Sequence, residues 1–276
     1  MFLVPDFKGN DFFPHGTRLP FMRYKLHCLV ISTVLTVLSL AIIFVNGFNY
    51  GVDFKGGSMI EVRAKSGTAD IGQMRDTLNG LGLGNVQIQS FGGDADALIR
   101  IEQQPGEEEA QQEAANKVLA ALGDGFDLRR IEVVGPAVSS ELRTTGLIAV
   151  LAAMVAIVAY VWVRFEWQFS VGVLVRLIHD VVITAGIFSL FWLEFDLAIV
   201  AALLTILGYS INDSVVVADR IRENLRKYKK MPLTELLDLS INETLSRTVL
   251  TGVTTIAVLL SLFFLGGEVI RNFTFA

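Results

Sequence analysis

Five apolar runs set the outline of the chain. They cover about Leu26 to Phe44, Leu147 to Val163, Phe169 to Leu193, Leu197 to Ala218 and Thr248 to Leu265. About 20 helical residues cross the hydrocarbon core of a bilayer, so each run predicts a membrane span. Phe273-Thr274-Phe275 begins another apolar stretch just before the sequence stops, which predicts the start of a truncated sixth span. The first run begins too late, and has no small-residue cleavage site behind it, for a removable signal peptide. It reads as a permanent anchor.

Between the first two runs the pattern changes period. Ile60, Val62 and Ala64 alternate with Glu61, Arg63 and Lys65, as in a half-buried strand. Ile71, Met74, Leu78 and Leu81 recur at helical spacing. Val86 and Ile88 alternate again, and Gly92-Gly93-Asp94 turns the chain into a strand carrying Ile99 and Ile101. Pro105 opens a second helix with Ala115, Val118 and Leu122 on one face, and Gly123 ends it. Ile131 and Val133 mark a last strand. The order β-α-β-β-α-β predicts a ferredoxin-like unit, two helices on one face of an antiparallel sheet.

Charge gives the spans a direction. Lys8, Arg18, Arg23 and Lys25 precede the first span, Arg164 lies between the second and third, and Arg220, Arg222, Arg226, Lys227, Lys229 and Lys230 follow the fourth. The third-to-fourth loop carries Glu194 and Asp196 and no base. Basic loops stay in the cytoplasm, and these assignments alternate sides without conflict. The expected fold is therefore a membrane α-helical bundle, five complete spans plus the start of a sixth, with one external α+β ferredoxin-like domain. Residues 1–25 form a cytoplasmic segment and 26–46 the first transmembrane helix. Residues 47–143 form a periplasmic domain, and 144–276 the rest of the bundle.

Composition narrows the chemistry. Hydrophobic residues make up 52% and charged residues 18% of the chain, which leans toward membrane proteins. The net charge of -5 gives no sign of nucleic-acid binding. Cys28 is the single cysteine, so no disulfide can form within the chain. His15, His27 and His179 lie far apart without metal-ligand spacing, and no phosphate-binding glycine loop of the GxxxxGK type is present. No metal, cofactor or bond-making chemistry is expected.

Three stretches carry a family resemblance: Gly51-Val52-Asp53-Phe54-Lys55-Gly56-Gly57 after the first span, Val134-Gly135-Pro136-Ala137-Val138-Ser139 before the second, and Gly208 to Asn224 in the fourth span and its exit. With Leu177-Ile178-His179-Asp180-Val181 in the third span and Leu245-Ser246-Arg247-Thr248 entering the fifth, the chain resembles the SecD/SecF family of the resistance-nodulation-division superfamily. The stretch Ser210-Ile211-Asn212-Asp213 favours the SecF branch, because the SecD branch typically carries an Asp-Ala-Asn motif there. The resemblance runs from Phe21 to the end. It implies half of a two-part assembly in the bacterial inner membrane, completed by SecD and working beside the SecYEG channel, with YajC as a further candidate partner. It also implies use of the proton-motive force to help draw unfolded exported polypeptides outward. Two rival readings remain: a half-transporter for small molecules or lipids, and a purely structural subunit.

An ionised carboxylate in lipid costs at least about 2.5 kcal/mol and usually marks an ion pathway. Asp213 is such a residue, although it lies roughly one turn from the end of its run and could reach water. The resemblance makes it a proton-binding carboxylate and makes Arg247 its cationic partner. Without the resemblance, Arg247 reads as a snorkelling positive-inside residue. Asp180 fits either a structural hydrogen bond or direct proton transfer. His179, Arg176 and Asn212 are modulators of this group. Arg176 departs from the small or apolar residue that the family pattern leads one to expect, and sits four residues before Asp180, within pairing reach. Asp53, Gly56 and Gly57 form a structural joint between span and domain. The basic run Arg220 to Lys230 reads as a topology determinant lying on anionic headgroups, with a contact to a cytoplasmic partner as the alternative.

Overall fold

The computed structural model describes residues 18–276 apart from 85, 92, 107 and 266–269. Lys8, His15 and Gly92 of the expected turn lie outside the described residues. The first apolar run forms helix α1, Lys25–Asn46, which stops where Gly47 takes a φ of 69° and donates its N–H to the Ile43 carbonyl. A 3-10 turn ahead of it, Phe21–Tyr24, is tied down when the Met22 N–H donates to the Asp238 carboxylate at 2.7 Å. After α1 come strand β1, Asn49–Tyr50, and the single-turn helix α2, Val52–Lys55.

The polar middle of the chain then builds its own core. Its elements are β2 (Gly57–Ala64), α3 (Ile71–Asn79), β3 (Val86–Ser90), β4 (Asp96–Ile101), α4 (Glu108–Leu122) and β5 (Phe126–Val134). The strands pair antiparallel in the order β3-β4-β2-β5. Ile60 faces Ile99 on one neighbour and Ile131 on the other, and Ile99 faces Ile88. Alternation thus puts Ile60, Val62, Ile99 and Ile101 on one buried face. Met74 and Leu78 of α3 and Ala115 and Val118 of α4 pack on that same face. Asp70 caps α3 by accepting the Gln73 N–H, and Gly123, at a φ of 65°, follows α4.

The remaining helices are α5 (Pro136–Arg164) and α6 (Trp167–Leu190), then, after strand β6 (Glu194–Phe195), α7 (Leu197–Lys227), α8 (Leu233–Leu265) and the short α9 (Arg271–Phe275). Among the described residues five helices, α1 with its leading turn and α5 to α8, are long and apolar enough to cross a membrane. α5, α7 and α8 overrun their apolar runs. α8 begins at Leu233, well before Thr248, because helix continues for as long as propensity and packing allow, whereas the apolar run marks only the part suited to lipid. The overrun of α7 and α8 is stitched together by Asn224, whose side-chain N–H groups donate to Ser240 Oγ at 3.0 Å and Glu243 Oε2 at 2.8 Å. α9 packs beside α7 and α8. Leu177, Phe188, Ile199, Leu203 and Leu207 are buried at the centre of the bundle.

Candidate functional site

Helical spacing collects a polar cluster inside the bundle. Arg176 and Asp180 lie one turn apart on α6, and Ser210, Asp213 and Ser214 lie within one turn on α7. Thr248 approaches from α8. Asp213 accepts the Thr248 hydroxyl at 2.7 Å and faces Arg176 Nη1 at 3.4 Å. The same Nη1 donates to Ser214 Oγ at 2.8 Å, while Arg176 Nε lies 3.7 Å from Asp180. Asp180 also accepts the Ser210 hydroxyl at 2.6 Å and contacts His179 Nδ1 at 3.0 Å. One guanidinium therefore stands between two carboxylates, each held by a hydroxyl from α7 or α8. A groove of about 690 Å³ opens beside them, its wall otherwise largely apolar along α8.

The sequence reading grouped Asp213, Arg247 and Asp180 as a relay. The structure brings Asp213 and Asp180 to one cation, and that cation is Arg176. Arg247 is exposed and, among the described residues, makes no ion pair. Its neighbour Thr248 holds Asp213 instead. Asn212 is exposed, about 100° around α7 from Asp213. Among the acids of the described residues, His179 pairs with Asp180.

A second constellation joins the α/β unit to the bundle. β1 pairs in parallel with β6, Asn49 opposite Glu194 and Tyr50 opposite Phe195. Asp53 caps α7 by accepting the Leu197 N–H at 2.9 Å, and the Gly51 N–H donates to the Phe195 carbonyl at 2.9 Å. Phe54 is buried among bundle residues. Gly57, at a φ of 119°, lets β2 pass so close to the Ile101 carbonyl that a Cβ would overlap it. Arg100 of β4 forms an ion pair with Glu194. Burial, despite Arg100, raises the Glu194 carboxyl above the ordinary carboxylate range, and burial raises Asp196 likewise.

Sequence reasoning passed over Ser210 and Thr248 as ligands of the acids, over Ser214 as the acceptor for Arg176, and over Arg100, Glu194 and Asp196 as parts of the joint. The hydroxyls sat inside quoted motifs. Serine and threonine are common in spans, where they usually bond their own backbone, as Ser214 also does to the Ser210 carbonyl. Pairing between β1 and β6 spans so much sequence that no local pattern reports it.

The chain has relatives among known proteins. Residues 114–276 match the family described as "Protein export membrane protein SecD/SecF, C-terminal", and residues 41–68 match the SecD/SecF GG motif, which contains the Gly56-Gly57 joint. A protein translocase subunit SecF from Rhodobacter capsulatus is 47% identical, with 95% of this chain and 83% of the relative covered. One from Rickettsia akari is 44% identical, covering 95% of this chain and 85% of the relative. The crystal structure of SecDF from Thermus thermophilus, a translocon-associated membrane protein, is 38% identical with a TM-score of 0.82. It covers 94% of this chain, which spans 36% of the SecDF chain. Relatives of 44% identity or more thus match nearly the whole of this sequence, and the chain belongs to the SecD/SecF family of protein-export membrane proteins.

Proposed function

We propose that this chain is a SecF-type accessory subunit of the Sec protein-export translocase, working with SecD to turn the proton-motive force into outward movement of exported polypeptides. It sits in the bacterial inner membrane with its N-terminus in the cytoplasm. The α/β unit lies in the periplasm and is ferredoxin-like, a reading supported by its strand order and by two helices on one face. The names of its relatives support the export role, and SecD as partner is supported by SecDF chains that carry both halves, such as one from Brucella abortus 42% identical to this chain. SecYEG, YajC and anionic lipids complete its surroundings in this reading. Arg164, Arg222, Arg226 and Lys227 line one shared cleft together with Asp219 and Glu223, a net basic lining that supports a headgroup-facing end.

The observation that carries the proton reading is the pair of carboxylates inside the bundle. Asp213 and Asp180 sit beside one guanidinium, on three different helices with Thr248. Pairing with a cation favours an ionised acid, and separation in a poorly polar bundle favours the protonated one. Arg247, one residue from Thr248, meets Asp213 in an alternate arrangement of α7 and α8. Switching between arrangements takes up and releases a proton, and the α2 joint passes the shift to the α/β unit. The test is export into membrane vesicles with the full complex, with and without an imposed gradient. Asp213→Asn keeps size and hydrogen bonding and removes the titrating group. It should abolish stimulation by the gradient and leave ATP-driven export unchanged, and Arg247→Met should do the same. Vesicles with Asp213→Asn that respond as the parent does would replace the relay with a structural role.

A further inference from the structure

We infer that Arg176 is the resident counter-ion of the two-carboxylate site, holding Asp213 and Asp180 together while Arg247 is away. The inference rests on the proton reading above and adds a residue to it. A guanidinium cannot lose its proton at physiological pH, so a fixed positive charge is built into the middle of α6. Its fork reaches both acids without closing on either. The distances of 3.4 Å to Asp213 and 3.7 Å to Asp180 exceed the 2.7–2.9 Å of a tight charge-assisted bond. Only Ser214 Oγ, at 2.8 Å, receives a well-formed hydrogen bond. The cation is therefore poised between two sites and committed to neither.

The charges around it give that position a consequence. On α6 the site holds Arg176, Asp180 and His179, and on α7 it holds Asp213. From α8 the site receives the Thr248 hydroxyl, and Arg247 stands exposed, outside the cluster. With both acids ionised and His179 neutral, the cluster carries one negative charge beyond what Arg176 balances. A single proton on either acid neutralises it and releases Arg176 to pair fully with the other. Asp180 is fixed to α7 through Ser210, and Asp213 to α8 through Thr248. Movement of the guanidinium toward one acid therefore changes how α6 is held against α7 and α8. Arg176 borders the groove of about 690 Å³ that Thr251 and Thr255 also line, so the charged centre is reachable.

Arg176 is thus a positioning residue for the proposed relay, and charge, more than shape, should define its role. In vesicles carrying the full-length protein with its partner subunit, Arg176→Gln should lower the gradient-dependent part of export by about tenfold, the effect of losing one charge-assisted contact. Export without a gradient should be unchanged. Arg176→Lys keeps the charge but not the fork. It should restore most of the response, with a pH profile displaced from that of the parent, a readout that loss of packing alone would not move. If Arg176→Gln fails to accumulate in the membrane, the lysine variant decides alone, and loss of the gradient response there, at normal accumulation and with the charge kept, overturns the inference. Asp213→Asn separates the two levels of the argument. If it abolishes the response while Arg176→Gln matches the parent, the counter-ion role is wrong and the proton reading stands. A parental response from Asp213→Asn removes both.

Discussion

Gly186 on α6 packs so tightly against Ser39 of α1 that an added methyl would overlap the Ser39 Cβ and lie 2.7 Å from its Oγ. Small residues at such crossings let membrane helices approach each other. Ser189, one turn along, seals the same contact by donating its hydroxyl to the Gly47 carbonyl at 2.6 Å. Gly186→Ala should therefore separate α1 from α6, with an overpacking cost of about 1–3 kcal/mol, read as a lower melting temperature of the purified protein. Gly208 and Gly252 lie in spans too, but a Cβ added at either would meet no other part of the described residues within 4 Å, its own helix backbone aside. Gly252→Ala should leave the melting temperature of the isolated chain where it is, and equal losses for both variants would show the α1–α6 contact to be unimportant. The three glycines look alike in the sequence. Only the packing of another helix distinguishes them, and that packing is not local. The acids of the site were legible for the opposite reason, since a charge inside an apolar run needs a physical excuse. Arg176 was legible as a partner for Asp180, but its reach to Asp213 depends on how α6 and α7 cross.

At the scale of elements, the long helices were readable and the joint was not. Its glycines and Asp53 could be singled out, yet α2 is a single turn and β1 and β6 have two residues each, too few for any periodicity. What the joint brings together is acidic: Asp53, Glu194 and Asp196, with Glu132 near enough to act on Glu194, and Arg100 as the cation paired to Glu194. Burial lifts the Glu194 and Asp196 carboxyls above their ordinary values. The docked joint thus binds more protons than the undocked one, so docking strengthens as pH falls through the raised range and weakens as pH rises. Asp96 works in the other sense. The Arg63 hydrogen bond lowers its carboxyl, and the stability it brings to the sheet is lost only when pH falls below the ordinary range. As pH falls from neutral toward the ordinary carboxylate range, protection of the Gly51 and Leu197 amides from hydrogen exchange should increase, after correction for intrinsic rates. Glu194→Gln should flatten that trend. Protection that decreases over the same interval would contradict the assignment.

At the scale of the whole molecule, the described residues hold two separate cores. One is closed within the α/β unit by Ile60, Leu78, Ile99 and Val118, and the other lies in the bundle around Leu177, Phe188 and Leu207. The first was legible because alternating and helical periods switch cleanly along residues 57–134, each switch marking an element whose apolar face needs the others. The second was legible only as spans, since continuous apolar runs hide which side of a helix faces its neighbours. The separation has a measurable consequence. A fragment covering residues 57–134 should fold by itself with one cooperative transition. A core of this size supplies about 3–5 kcal/mol at most, so the fragment should be marginal, more so without the Arg100–Glu194 pair. Removing a fully buried leucine costs about 2–5 kcal/mol, much of that total. Leu78→Ala should leave the fragment largely unfolded at 25 °C, whereas Leu128→Ala, on a residue 47% exposed, should leave a native transition in urea. A parent fragment with no cooperative transition would mean that the sheet needs the bundle beneath it. In that case the joint would be part of the α/β core, and a shift in the spans would reach the domain by reshaping it and not by moving it as a unit.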